Sequence, residues 1–323
     1  MSRRECETVV CCLQADTGET IWGSAFPNKD APQSPPAIDD SSSYAQDIDG
    51  ALWCVSIRNG KLLWQKDLVA EYGTTRPYYG FAASPVVEGD LLILTAAASG
   101  MAVNRKTGSL VWSGEKPPKK TEARWPRGTT GIDYCTPVIY DWRGGRCALI
   151  SSWKGLCSVD VVSGEVLWRY DWGLHRSYQA ADPVLVDDAV YVPFDATAAE
   201  KSVLQYSVLL EIGEAGPTLS TVPCAAVDLQ SGQLRWAKSF SGSRAKKSVS
   251  LMAAGGKLII LTDTGILAIA EATPEAYTEI SSCDLYLGEK TFRQFWTPPV
   301  LCNGRVYCRN DVGHLLCVDV RPK

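Results

Sequence analysis

The chain has 323 residues, of which 46% are apolar, and a formal net charge of −4. This length suits one large all-β domain or two smaller domains, and the slightly acidic charge gives no general attraction to nucleic acid or to an anionic membrane. The sequence has no apolar run near the roughly 20 residues that span a bilayer, and residues 1–6 lack the apolar core of a signal peptide.

An eleven-residue pattern recurs along the chain. The two closest copies cover residues 158–168 and 226–236, and looser copies cover residues 12–22, 54–64 and 102–112. In chain order these are copies one to five. Each copy reads as a short apolar strand, a turn closed by glycine and a second strand that ends on tryptophan. Because an isolated hairpin is marginally stable at best, the copies must bury their faces against neighbouring units.

Two positions of the pattern are identical in all copies. The turn glycines, where a positive φ angle is needed, are Gly18, Gly60, Gly108, Gly164 and Gly232. The tryptophans are Trp22, Trp64, Trp112, Trp168 and Trp236. Their fixed offset from the glycine places all the indoles on one face of a strand of period two. The sixth position before each glycine is small, as in Cys12 and Ala102, which predicts a socket for a tryptophan of the same or the adjacent copy.

The pattern resembles the Ala-x-Asp-x-x-x-Gly-x-x-x-Trp docking motif of quinoprotein-type (PQQ-like repeat) β-propellers. This family includes quinoprotein alcohol dehydrogenases and BamB-like outer-membrane assembly lipoproteins. The resemblance implies an all-β fold: a single β-propeller domain over residues 1–323, built from four-stranded blades. The expected number of blades is seven, with eight as the alternative if one blade is eroded or incomplete. The resemblance also implies a periplasmic or otherwise extracytoplasmic location.

Proline marks the expected start of the inner strand of each blade, because proline is tolerated at the first residue of a strand or at a sheet edge. The dipeptides are Ser34-Pro35, Ser84-Pro85, Thr136-Pro137, Asp182-Pro183 and Thr297-Pro298. The unit that contains copy one lacks its two leading strands, so the N-terminal blade is expected to be incomplete. Residues 195–223 break the repeat rhythm and are expected to form an irregular insertion, strand-like over residues 202–212 and turn-rich over residues 214–223. An eroded blade that has lost its leading strands is one interpretation of this segment.

The cysteines and histidines favour structural roles. The vicinal pair Cys11-Cys12 invites comparison with quinoprotein alcohol dehydrogenases, which carry a vicinal disulfide against the quinone. Here the pair falls in the middle of a strand, where successive side chains point to opposite faces, so two free thiols are expected. No Cys-x-x-Cys pair occurs among the twelve cysteines. Of the two histidines, His314 lies in a repeat strand, and a hydrolase would have to use His175.

A quinone enzyme needs oxygen ligands for Ca²⁺, a catalytic aspartate and an aromatic floor. No contiguous segment supplies this set, and Asp160 and Asp228 belong to repeat turns, where aspartate accepts backbone hydrogen bonds. We therefore expect no cofactor, no metal and no catalytic residues. The alternative is a PQQ-dependent dehydrogenase, for which PQQ and Ca²⁺ would be the cofactors.

The loops that lead into the inner strands converge on one face of a propeller and are rich in aromatic and arginine side chains. These residues are Arg76, Tyr78, Tyr79, Phe81, Tyr134, His175, Arg176, Tyr178, Arg293 and Trp296. Tyrosine, tryptophan and arginine are enriched at the energetic centres of protein interfaces. The sequence thus predicts a non-enzymatic binding scaffold that holds a protein, peptide or carbohydrate partner at this face.

Overall fold

The computed structural model describes residues 6–28, 33–77, 79–116, 134–152, 154–171, 182–186, 189–193, 206–213, 216–223, 226–227, 234–236, 249–286, 294–295 and 297–321. Their strands form eight sheets, and one short helix accompanies them. None of the described helical residues belongs to a helix long and apolar enough to cross a membrane. The chain divides into two compact units, residues 1–221 and 222–323.

The first unit holds the first five sheets, within which the strand order follows the chain. The first two sheets and the helix comprise β1 (Cys6–Leu13), β2 (Thr20–Asn28), β3 (Ala37–Ile38), β4 (Ser42–Gln46), β5 (Ala51–Ser56), β6 (Leu62–Asp67) and α1 (Leu68–Tyr72). The third and fourth sheets comprise β7 (Val86–Glu88), β8 (Leu91–Leu94), β9 (Met101–Asn104), β10 (Leu110–Ser113), β11 (Val138–Trp142), β12 (Gly145–Ser152), β13 (Gly155–Asp160) and β14 (Val166–Tyr170). The fifth sheet comprises β15 (Val184–Val186), β16 (Ala189–Pro193), β17 (Tyr206–Gly213) and β18 (Gly216–Pro223), and the boundary between the units falls within β18.

The second unit holds the remaining three sheets. The sixth is two-stranded, with β19 (Ala226–Val227) and β20 (Leu234–Trp236). The seventh comprises β21 (Val249–Ala254), β22 (Lys257–Thr262), β23 (Ile266–Glu271) and β24 (Glu279–Asp284). The eighth is three-stranded, with β25 (Val300–Cys302), β26 (Arg305–Arg309) and β27 (Leu315–Asp319).

The predicted blade count is wrong. Among the described strands, five sheets have the four strands of a complete blade, and the others have two, two and three, so neither seven nor eight four-stranded blades are present. The prediction assumed that copies two to five each close a four-stranded unit, whereas the described strands of copy five form a two-stranded sheet. Copy one, expected to lack its two leading strands, also forms a two-stranded sheet. Residues 216–223, expected to be turn-rich, form β18 and complete the fifth sheet without any repeat copy, because their β-branched residues favour an extended strand.

The cores of the first unit lie between successive sheets. Val10 and Phe26 of the first sheet pack against Trp53 of the second. Further clusters join the second sheet to the third, the third to the fourth, and the fourth to the fifth. The sheets therefore stack face to face, which explains why strands such as β5 are buried on both faces.

The repeat tryptophans of copies one to three tie the first four sheets of the first unit together. Their indole Nε1 atoms donate to a backbone carbonyl in the turn of the following copy, from Trp22 to Ile57 at 2.8 Å, from Trp64 to Arg105 at 2.9 Å and from Trp112 to Val161 at 2.9 Å. The ring also covers the turn glycine of that copy: a Cβ atom at Gly60 would lie 2.5 Å from the Trp22 ring, and one at Gly164 would lie 2.5 Å from the Trp112 ring. Docking between sheets thus needs both the indole and the bare glycine. The Nε1 of Trp168 is buried without a hydrogen-bond partner among the described residues.

Within each copy, the small residue pairs directly across from the tryptophan. These pairs are Cys12 with Trp22, Cys54 with Trp64, Ala102 with Trp112, Ser158 with Trp168 and Ala226 with Trp236. A β-bulge follows, so the residue immediately before each tryptophan has no partner in the strand register. Trp112 and Trp168 are buried, Trp22 and Trp64 are half-buried, and the side chain of Trp236 lies outside the described part of the structure.

Candidate functional site

Four of the predicted binding residues lie in two neighbouring connections of the first unit. Arg76, Tyr79 and Phe81 belong to the segment between α1 and β7, and Tyr134 precedes β11. The other six predicted residues lie outside the described residues. They are Tyr78, His175, Arg176, Tyr178, Arg293 and Trp296.

The segment between α1 and β7 follows a fixed path. Asp67 caps α1 by accepting the N–H groups of Val69 and Ala70 at 2.9 and 2.8 Å. Further along, Gly80 has a φ of 85°, and a Cβ atom there would lie 2.3 Å from the Cβ of Ile48. Only glycine fits this close approach to the turn between β4 and β5.

Phe81 anchors this segment instead of forming part of the exposed surface. Its side chain is 2% exposed, and its N–H donates to the carbonyl of Ile48 at 3.1 Å. The ring occupies the space left by Gly50, where a Cβ atom would come within 2.8 Å of it. The sequence placed Phe81 correctly on a connecting loop, but its role is to hold that loop against the neighbouring turn.

Buried polar side chains tie the connections of neighbouring sheets together. The Gln46 side-chain amide donates to the carbonyls of Phe81 and Ala83. The Thr95 hydroxyl donates to the carbonyl of Cys135 at 2.8 Å. Tyr79 and Tyr134 are thus carried on backbone that is fixed by buried hydrogen bonds.

The solvent-accessible groups of these connections and of the turn between β4 and β5 are here called the connection surface: Asp49, Arg76, Tyr79 and Tyr134, of which Tyr79 is exposed and the others are partly buried. Arg76 Nε donates to Asp49 Oδ1 at 2.7 Å in a partly exposed ion pair. The Tyr79 N–H donates to the Tyr134 hydroxyl oxygen at 3.2 Å. The two tyrosine rings meet edge to face, with centroids 5.8 Å apart, and Tyr79 remains 48% exposed.

Sequence reasoning missed Asp49. It considered the loops that lead into inner strands and not the turns within the sheets. The signal was the Asp47–Gly50 turn, because a turn between the second and third strands lies at the same end of the sheet as the connection to the next sheet. That geometry brings Asp49 to Arg76.

A buried carboxyl lies beneath the ion pair. Asp47 Oδ1 accepts the N–H groups of Asp49, Gly50 and Ala51 at 3.0, 2.8 and 2.8 Å. Burial raises the pKa of Asp47 above its ordinary value, and the three N–H groups oppose that rise by stabilising the carboxylate. Asp47 therefore shapes the turn that presents Asp49.

The residues considered for cofactor chemistry are dispersed. Cys11 is exposed and Cys12 is half-buried on β1, and both are free thiols. Asp160 accepts the N–H groups of Val162 and Ser163 in its repeat turn at 3.1 and 2.7 Å, while Asp228 lies outside the described residues. Within the described ranges, no three His, Cys, Asp or Glu side chains are grouped closely enough to hold a metal ion.

Comparison with known proteins places the fold. BamB from Moraxella catarrhalis superposes with a TM-score of 0.66 at 17% identity, over 98% of this chain and 92% of that one. The β-propeller domain of Cps50 (Swd1) from Myceliophteria thermophila superposes with a TM-score of 0.54 at 11% identity, over 97% of this chain and 90% of that one. The quinohemoprotein alcohol dehydrogenase ADHIIG from Pseudomonas putida HK5 superposes with a TM-score of 0.50 at 12% identity, over 94% of this chain and 67% of that one. At these identities the likeness shows a shared β-propeller fold and no shared activity.

Among curated proteins, none matches the chain significantly. A family model described as outer membrane protein assembly factor BamB matches residues 6–130 and 141–323. This match spans nearly the whole chain, including all five copies of the repeat, and confirms the family predicted from them. The chain therefore belongs to the BamB family of PQQ-like repeat β-propellers.

Proposed function

We propose that this chain is a non-enzymatic scaffold that binds a protein partner at the connection surface. The observation that carries the proposal is Tyr79. Nearly half of its side chain is exposed, yet its N–H and its ring both contact Tyr134. An aromatic side chain held in place before binding loses little conformational freedom when a partner covers it.

The neighbouring charges support a protein ligand. Arg76 and Asp49 present both signs of charge beside the tyrosines, as in an interface with an apolar centre and a polar rim. The family description names an assembly factor, which supports a protein partner over the carbohydrate ligand that the sequence alone leaves open. The specific partner is a matter for experiment.

The proposal requires neither PQQ nor Ca²⁺. The rival function is that of a PQQ-dependent dehydrogenase. Its support is the similarity to ADHIIG, which extends only to the fold. Cys11 and Cys12 lie within β1 and pair with Gly23 and Trp22 on β2. Their side chains point to opposite faces of that strand, which does not favour the flat vicinal disulfide of quinoprotein alcohol dehydrogenases.

Site-specific photocrosslinking tests the connection surface. The photoreactive residue p-benzoylphenylalanine replaces Tyr79 in the full chain, and in a matched variant it replaces Ile38, which is also exposed but lies on β3. After irradiation in cells, we expect a discrete protein adduct from position 79 and none from position 38. The additional substitution Tyr134→Ala should reduce the adduct, because it removes the support of the residue at position 79.

Two results would contradict the proposed function. One is the absence of any protein adduct from position 79. The other is an equal yield from positions 79 and 38, which would mean that crosslinking reports random collisions.

A further inference from the structure

Exposed aliphatic side chains are concentrated on the outer strands of the first unit. In its described part, eight of the twelve exposed large apolar residues lie in the repeat turns and tryptophan strands of copies one to four. These eight, here called the outer rim, are Ile21, Leu62, Leu63, Leu110, Val111, Val162, Val166 and Leu167, and they are 37–72% exposed. A concentration of this kind marks an interaction surface better than scattered exposed residues do.

The β-bulge explains why these side chains point outward. In copies two, three and four the unpaired residues before tryptophan are Leu63, Val111 and Leu167. They lie on β6, β10 and β14, which are edge strands of their sheets. A bulge on an edge strand disfavours the addition of another strand. The outer rim is therefore suited to side-chain packing and not to backbone pairing.

The docking contacts make this rim continuous. Trp64 binds to the turn of copy three through the Arg105 carbonyl, and Trp112 binds to the turn of copy four through the Val161 carbonyl. Val162 directly follows that acceptor. The outer strands of copies two, three and four thus follow one another from sheet to sheet, each docked on the next turn, and we call their row of exposed aliphatic side chains the apolar strip.

The charge along this strip changes from one end to the other. In copy two, Arg58 and Lys61 are exposed, and no ion pair is found for them among the described residues. In copy four, Glu165 is exposed and likewise has no ion pair within the described ranges. Asp160 adds a second carboxylate to that turn.

Copy three, in the middle of the strip, is neutralised by carboxylates from neighbouring turns. Arg105 pairs with Asp39, and Lys106 Nζ lies 2.8 Å from Asp90. The order along the strip is therefore positive, neutral and negative.

We propose that a second copy of this chain covers the outer rim, in a two-fold dimer with copy three on the axis. A two-fold axis reverses the order of the strip. Arg58 and Lys61 of one molecule then face Glu165 of its partner, while copy three faces its own counterpart without unpaired charge. An axis at copy two would instead oppose Arg58 and Lys61 to themselves, and like charges at an interface are repulsive.

The apolar area is adequate for such a dimer. The seven rim residues of copies two to four are roughly half exposed and together offer on the order of 400 Å² of apolar surface. A standard interface buries about 800 Å² per partner, of which somewhat more than half is apolar. The rim thus supplies most of the apolar surface that each partner of a standard interface buries.

Sedimentation velocity of the full chain over about 1–100 µM tests the proposal. We expect a species of twice the monomer mass of 35.1 kDa. Val111→Asp should raise the dissociation constant about a hundredfold or more, because it buries an unpaired carboxylate on the axis. Ile38→Asp is the matched control, an exposed aliphatic outside the rim, and should leave the dimer unchanged. Circular dichroism confirms that each variant folds.

Charge reversal tests the two-fold arrangement. Arg58→Glu combined with Lys61→Glu should weaken the dimer about tenfold or more, and adding Glu165→Lys should restore much of the affinity. If the chain stays monomeric at the highest concentration, the proposal is overturned, even if another partner covers the outer rim. If Val111→Asp and Ile38→Asp raise the dissociation constant of the dimer equally, the outer rim is not the interface. A dimer that is insensitive to the charge reversals overturns copy three as the position of the axis.

Discussion

Asp47 illustrates how a single buried residue organises the connection surface. Its side chain is 3% exposed and accepts three backbone N–H groups of the turn that carries Asp49. The hydrogen bonds favour the carboxylate and burial disfavours it. Since the pKa is raised overall, burial outweighs the hydrogen bonds.

The raised pKa gives a pH-dependent prediction. The folded state holds the Asp47 proton more tightly than the unfolded state does. As the pH rises from the ordinary pKa of the unfolded state through the raised pKa of the folded state, this group therefore lowers the free energy of unfolding. Asp47→Asn keeps an oxygen that can accept the N–H groups and removes the buried charge. We expect the stability of the variant relative to wild type to increase as the pH rises above about 4, the ordinary pKa of an aspartate.

Urea denaturation at several pH values checks this prediction, with Asp141→Asn as the matched control, because that carboxyl is largely exposed and lies on β11 of another sheet. A relative stability of Asp47→Asn that falls with pH would show that the hydrogen bonds outweigh burial.

At the scale of single residues, the sequence located the connecting loops but not the burial of the side chains that they carry. Tyr79 and Tyr134 could be assigned to one surface because both precede an inner strand that starts at proline. The burial of Phe81 could not be predicted in the same way. It depends on the space above Gly50 and on the approach of Gly80 to Ile48, and these contacts join segments with no shared local pattern.

At the scale of elements, the contact between a tryptophan strand and the next turn is what stacks the sheets. Gly164 combines a φ of 74° with a position directly beneath the Trp112 ring. Another residue there would be strained in its backbone and would also collide with the indole. The repeat therefore requires glycine at this position for two independent reasons.

Gly164→Ala should lower the free energy of unfolding by about 3 kcal/mol, from backbone strain together with displacement of the indole. Gly144→Ala is the matched control, because Gly144 has a similar φ of 76° and no atom lies within 4 Å of its added Cβ. We expect this control to cost about 1 kcal/mol, from backbone strain alone. Equilibrium denaturation of both variants measures the difference, and equal costs would refute the docking role of the glycine.

The repeat allowed the hairpins to be predicted but not the number of complete sheets. Copies two, three and four each supply the last two strands of a four-stranded sheet, as their glycine and tryptophan positions indicate. The fifth sheet is completed by β17 and β18, which carry no repeat. A count based on the pattern therefore fails where strand pairing is set by extended backbone and not by a docking tryptophan.

At the scale of the whole molecule, the repeat fixes the family and leaves the activity open. The PQQ-like propeller fold occurs in BamB and in quinohemoprotein alcohol dehydrogenases. Fold alone cannot choose between these activities. The choice depends on the site, and the proposed scaffold function rests on the pairing of Tyr79 with Tyr134.

Calorimetric titration of the purified chain with PQQ in the presence of Ca²⁺, followed by a dye-linked alcohol oxidation assay, tests the scaffold function most directly. The account predicts no heat of binding beyond dilution and no turnover. Binding at micromolar affinity or tighter, with oxidation of the alcohol, would contradict it.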